Sequence, residues 1–225
     1  MAATEQHVDL GHSHPIKPDQ ERVNAITHAL AAVAWLAVGL WLVTGALATD
    51  SDGRIGLAWA CGVYVATVVG TFVCSTLSHV FLRPPWLERF RAWDQAFIYL
   101  MIVGTYTPIT WAYATPLQRP WLIGGMWFFA MLGFLRKVAW RHRVERINVA
   151  GYLALGWIPA IPLIGEVPTG LAGMMFLGGV LYTVGVVFLM NDHRVRFMHA
   201  VWHLFVLGAS LVHAIGISWY VVERM

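Results

Sequence analysis

The chain has 225 residues, of which 58% are hydrophobic and only 12% charged, and its mean hydropathy is +0.62. A soluble domain carries about 25% charged residues, so this composition excludes a water-soluble globular protein: a chain this short would need far more polar surface. The formal net charge of +3 does not mark a nucleic-acid binder either, because the basic residues are scattered among polar connections and read as membrane topology.

Residues 1–23 are polar and contain His7, His12, His14, Pro15 and Pro18. They read as a disordered cytoplasmic tail, solvated rather than gathered on a metal. No short apolar core with a small-residue cleavage site precedes the first long apolar run, so no signal peptide is expected.

Residues 24–225 read as one all-α, polytopic membrane domain. Its transmembrane helices fall at roughly 24–48, 55–82, 93–114, 120–139, 147–165, 170–190 and 198–222, each near the 18 to 20 apolar residues that cross a bilayer. The connections carry turn formers, such as Asp50-Ser51-Asp52-Gly53 and Arg83-Pro84-Pro85. Cys61 and Cys74 share the second span, where thirteen helical residues separate them by roughly 20 Å, beyond disulfide reach. Pro108 is expected to disturb the third span near Gly104, and Pro159 and Pro162 to bend the fifth. The fourth span has a short apolar core from Trp121 to Leu135, so Arg136 and Lys137 are expected to snorkel toward the headgroups.

Charge asymmetry sets the orientation. One side receives Lys17, Arg22, Arg83, Arg89, Arg91, Arg136, Lys137, Arg141, Arg143, Arg146, Arg194 and Arg196. The other receives Arg54, Arg119 and Arg224, which completes the 15 basic residues. The positive-inside rule then places the N-terminus in the cytoplasm and the C-terminus outside.

Ionisable groups inside hydrocarbon are costly and mark functional sites by default. They are His28, His79, Asp94, His199, His203 and His213; Glu166 sits at a span end and reads as interfacial. Counted from the nearest inner-side boundary at 1.5 Å per residue, the first five lie at one level, roughly 5–11 Å deep. His213 lies about 15 Å deeper than His203 and does not belong to that layer.

His199 and His203, spaced i, i+4, project from one helical face. His79 as a third imidazole would complete a His₃ set with an open position, the ligand pattern of catalytic zinc. Asp94 then suits a general base toward water, and Ser75, i, i+4 with His79, suits an orienting hydroxyl. His28 suits a supporting role beside the ligands. Two other readings stand beside this one at this stage: helix–helix hydrogen bonding by isolated histidines, and a proton relay through Asp94 and the histidines.

Four sequence pieces carry a family resemblance: Glu21-x-x-Asn24-x-x-Thr27-His28; Ser75-Thr76-Leu77-Ser78-His79; Asp94-Gln95-Ala96-Phe97-Ile98-Tyr99 running into Gly104-Thr105-Tyr106-Thr107-Pro108; and His199-Ala200-Val201-Trp202-His203 followed by Gly208 and His213. In this order they resemble the hemolysin III family, the bacterial branch of the progestin and adipoQ receptor superfamily. The resemblance implies seven spans with an inside N-terminus in a bacterial plasma membrane. It also implies Zn²⁺ held by His79, His199 and His203, with Asp94 and Ser75 close to the water at the metal. Gln95 departs from the His common beside the Asp, which bears on a proton path through that position. Ser78 replaces a common aromatic, a change expected to alter packing only.

The function these readings favour is zinc-dependent hydrolysis of a lipid amide or ester, since the wider superfamily resembles alkaline ceramidases. The partners are then a membrane lipid and a metal ion, and no nucleic acid. The alternatives are a non-enzymatic membrane-homeostasis regulator or sensor with structural zinc, and a pore-forming hemolysin.

Overall fold

In a computed structural model the described residues are 17–50, 52–139 and 147–223, and among them the chain is helical with no strands. In chain order the helices are α1 (Pro18–Ala48), α2 (Arg54–Val80), α3 (Trp86–Tyr113), α4 (Gln118–Ala139), α5 (Val149–Trp157), α6 (Thr169–Met190) and α7 (Met198–Ile217). A 3₁₀ segment, Ile158–Leu163, continues α5, and a π turn, Ser218–Val222, continues α7. Five of the helices, α1, α2, α4, α6 and α7 with its extension, are long and apolar enough to cross a membrane; α5 with its 3₁₀ segment forms a shorter apolar helix.

Several boundaries differ from the sequence reading. Residues 18–23, assigned above to the tail, are the first turns of α1. Pro18 at the first helical position has its φ preset for the helix, and Asp19 and Glu21 in the first turn complement the helix dipole. His7, His12, His14 and Pro15 lie outside the described residues. Helix α3 likewise starts early, at Trp86, where the Trp86 ring stacks on Phe90 and takes the Arg89 guanidinium at 5.2 Å. It stays helical through Pro108, because one missing backbone hydrogen bond does not break a helix held on both sides by neighbours. Pro159 and Pro162 do act on α5, which tightens into 3₁₀ turns at Ile158. Lys137 does not snorkel: it is 5% exposed and its Nζ donates to Gln95 Oε1 on α3. Arg136 is exposed.

The helices pack mainly as sequence neighbours, α1 on α2, α2 on α3, α3 on α4 and α6 on α7, and α1 closes the bundle against α7. Trp35, Leu42, Tyr64, Val68, Phe72 and Ile217 anchor the core. Large apolar side chains also cover the outside: Leu30 is 68% exposed, Val33 69%, Trp59 73% and Trp121 78%. In water such a coat would drive aggregation, whereas acyl chains solvate it. Both cysteines are free thiols.

Helices α2 and α3 pack tightly at Gly104, where a Cβ would lie 2.0 Å from Thr67 Oγ1 and 3.0 Å from Thr67 Cβ. Gly104→Ala is therefore expected to destabilise the fold by about 1–2 kcal/mol, the overpacking cost exceeding the gain in helix propensity. Thermal melting in detergent checks this, and a Thr67→Ala/Gly104→Ala double variant should recover most of the loss. An unchanged melting temperature for the single variant would show that the contact yields without strain.

Candidate metal centre

Helix α2 delivers Ser75, Ser78 and His79 on its last turns, and α7 delivers His199 and His203 on its first two. Just before α7, Phe197 adopts a left-handed backbone (φ 64°), and its N–H donates to Gln20 Oε1 at 3.0 Å. The first turn of α1 is thus docked onto the start of α7, where Arg196 also donates to Asp19.

The three proposed ligands come together. Ring centroids lie 4.7 Å apart for His199 and His203, 5.0 Å for His79 and His199, and 5.2 Å for His79 and His203, with planes 63–72° apart. One nitrogen of each lies within 4.8 Å of the others, compared with about 3.4 Å for three nitrogens bound tetrahedrally at 2.0–2.1 Å. Small side-chain rotations close that difference.

Hydrogen bonding fixes which nitrogen is free. His79 Nδ1 meets Glu21 Oε2 at 2.5 Å, His199 Nδ1 meets Asp192 Oδ2 at 3.0 Å, and His203 Nδ1 meets Thr27 Oγ1 at 3.1 Å. Ionised carboxylates only accept, so His79 and His199 donate from Nδ1. The single hydroxyl proton of Thr27 goes to Asn24 O at 2.8 Å, so His203 also donates. Each Nε2 then carries a lone pair, and His79 Nε2 is buried with no hydrogen-bond partner among the described residues. Lone pairs brought together in this way repel unless a cation lies between them. The donor set fits a metal ion, and three neutral imidazoles fit zinc chemistry.

His28 does not join the group. It is 3% exposed, stacks on His203 with centroids 3.6 Å and planes 15° apart, and touches Phe72 at 5.0 Å. Asp94 also stays outside the ligand group, and its Oδ2 accepts from Ser78 Oγ at 3.1 Å. Ser75 is 2% exposed, and its carbonyl, 2.8 Å from Ser78 Oγ, shares the single Ser78 hydroxyl proton with Asp94. Ser78 therefore does more than pack, because it holds Asp94. Gln95 faces α4 through Lys137, and its carbonyl accepts from Tyr152 at 2.7 Å. His213 sits apart, with Nε2 at 3.3 Å from Met175 O and its ring 5.9 Å from Tyr182. Glu166 is exposed in the turn after the 3₁₀ segment.

The histidines line a cavity of about 890 Å³ that also reaches Ser75, Asp94 and His213. Its walls are largely apolar, including Met101, Ile102, Ile109, Val186, Leu189 and Val206.

Long apolar helices around a histidine triad, with His203 buried and His79 and His199 partly so, define a helical integral membrane protein with a centre that could hold a metal ion. Residues 16–214 match the family model described as Haemolysin-III related. The chain is 32% identical over 209 residues to Hemolysin-3 of Bacillus cereus, covering 90% of this chain and 92% of that protein. It is 28% identical over 210 residues to the Hemolysin-3 homolog of Bacillus subtilis (strain 168), covering 91% and 95%. It is also 28% identical over 201 residues to the human Monocyte to macrophage differentiation factor, covering 88% and 76%. No solved structure matches. The chain belongs to the hemolysin III family, within the progestin and adipoQ receptor superfamily.

Proposed function

We propose that this is a seven-span protein of the bacterial plasma membrane, with its N-terminus in the cytoplasm, that hydrolyses an amide or ester bond of a membrane lipid at a zinc centre held by His79, His199 and His203. The observation that carries this reading is the set of three imidazoles, one nitrogen of each within 4.8 Å of the others and Nδ1 of each already engaged, on the wall of a largely apolar cavity. The orientation is supported by the basic residues around the site: Arg91 lies 3.8 Å from Glu21, and Arg196 pairs with Asp19, both beside the triad. Arg119 lies instead at the start of α4, its guanidinium over Trp111 near the end of α3.

Zinc bound there would supply Lewis acidity, polarising an acyl carbonyl and making water a stronger acid at neutral pH. The chain supplies the rest. Asp94, which accepts from Ser78 through Oδ2, takes a proton from the attacking water and passes it to the leaving group. Ser75, buried on the same face of α2, orients the carbonyl. The cavity walls take the acyl chain and exclude bulk water. The test is incubation of the zinc-loaded protein with ceramide-like and acyl-ester lipids, reading release of free fatty acid. Retained zinc with no cleavage of either class would rule out hydrolysis.

A structural role for the metal is favoured by one observation. The ligands come from α2 and α7, which are also joined lower down by Tyr64 Oη donating to Ser210 O at 3.2 Å, so a cation would staple the second helix to the last. On that reading chelation lowers the melting temperature sharply. Binding at 100 times Kd contributes about 2.7 kcal/mol, which corresponds to several degrees in a domain of this size. A large shift without turnover identifies a staple, and turnover with a small shift identifies the hydrolase.

A further inference from the structure

The nitrogen of each clustered imidazole that faces away from the triad is met by an acceptor from another segment. Glu21 reaches His79 from the first turn of α1, Thr27 reaches His203 from two turns further along α1, and Asp192 reaches His199 from the turn after α6. A free neutral imidazole exchanges between two tautomers, and only one of them presents Nε2 as a ligand. Of the tautomer combinations open to three rings, just one offers three lone pairs to a common ion. We propose that Glu21, Thr27 and Asp192 are positioning residues that lock this combination, making the tip of α1 and the α6–α7 turn working parts of the metal centre. The inference rests on the reading of His79, His199 and His203 as ligands.

The partners are not equivalent. Glu21 and Asp192 accept as anions, so besides orienting His79 and His199 they offset a cation's charge. Thr27 has no charge to give. Its hydroxyl proton is committed to Asn24 O, so it acts on His203 only by accepting from Nδ1. The tip of α1 is itself anchored, by Asp19 to Arg196 and by Gln20 to the Phe197 N–H, which keeps Glu21 and Thr27 in register with rings on two other helices. Nothing about Asp192 as a loop residue marks it as part of a metal site until the helices are assembled.

The experiment is zinc affinity of the full-length protein in detergent, by chelator competition, together with the visible spectrum of the Co²⁺-loaded protein and the melting temperature of the metal-free forms. Glu21→Gln and Asp192→Asn keep shape and an acceptor but lose the charge, and each is expected to weaken zinc binding about 10- to 100-fold. Thr27→Val leaves the Nδ1–H of His203 unpaired and should weaken binding similarly and alter the Co²⁺ spectrum, while Thr27→Ser restores both. The metal-free melting temperatures are expected to stay at the wild-type value, which separates positioning from a general loss of packing. Wild type that binds zinc beside variants that bind it equally well would overturn the inference and leave the metal centre standing. Wild type that binds no zinc would remove the metal centre and this inference with it.

Discussion

Replacing His203 with alanine is expected to abolish stoichiometric metal binding and every activity that depends on it. Zinc in a structural site is held by about 10–16 kcal/mol over four ligands, so one imidazole accounts for about 3–4 kcal/mol, or a 10²- to 10³-fold loss of affinity. His203 is 1% exposed and lies between Thr27 and His28, and its removal also leaves a buried void beside the His28 ring. Metal analysis of wild type beside His79→Ala, His199→Ala and His203→Ala measures the effect directly. His28→Ala is the informative control: its ring stacks on a ligand without belonging to the triad, so metal stoichiometry is expected to survive. Wild-type metal content in all three ligand variants would show that the histidines serve only as helix–helix contacts.

Asp94→Asn is expected to lower kcat by about 10²- to 10⁴-fold, the usual contribution of a positioned general base, with metal content unchanged. The asparagine side chain keeps the size of Asp94 and an oxygen to accept the Ser78 hydroxyl, but it cannot take a proton. Because Asp94 stands outside the group of convergent nitrogens, the ion should be held as before. Ser78→Ala should cost less, since it leaves the carboxylate in place and removes only its 3.1 Å restraint. Fatty-acid release from a lipid substrate, measured with zinc content on the same samples, separates the two effects. Full turnover in Asp94→Asn would remove Asp94 from the chemistry, and lost zinc would make it a ligand.

The two predictions draw on different parts of the chain. The membrane helices, the gathering of polar groups at one depth, and the histidines themselves are legible in one dimension. Hydrocarbon tolerates few ionisable side chains, so each one stands out against its apolar run, and a fixed rise per residue converts sequence distance into depth. His79, His199, His203 and Asp94 are found this way, and so is the separation of His213 from them. Helix starts at Pro18 and Trp86 are not legible by the same rule, because polar first turns remain in contact with water and carry no apolar signal. Depth also carries no azimuth. Periodicity cannot say that Lys137 turns inward to Gln95 rather than outward to the headgroups, nor that Ser78 donates to Asp94.

Composition and helical spacing alone therefore mark the chain as a membrane protein and single out the three histidines that the fold brings together. Only the packed bundle decides which ring nitrogens are spent on Glu21, Thr27 and Asp192 and which are left facing one another. The physical reason is that solvation and helical rise act locally along the chain, whereas the direction of a hydrogen bond between α1, α2 and α7 depends on how separate helices are rotated and docked.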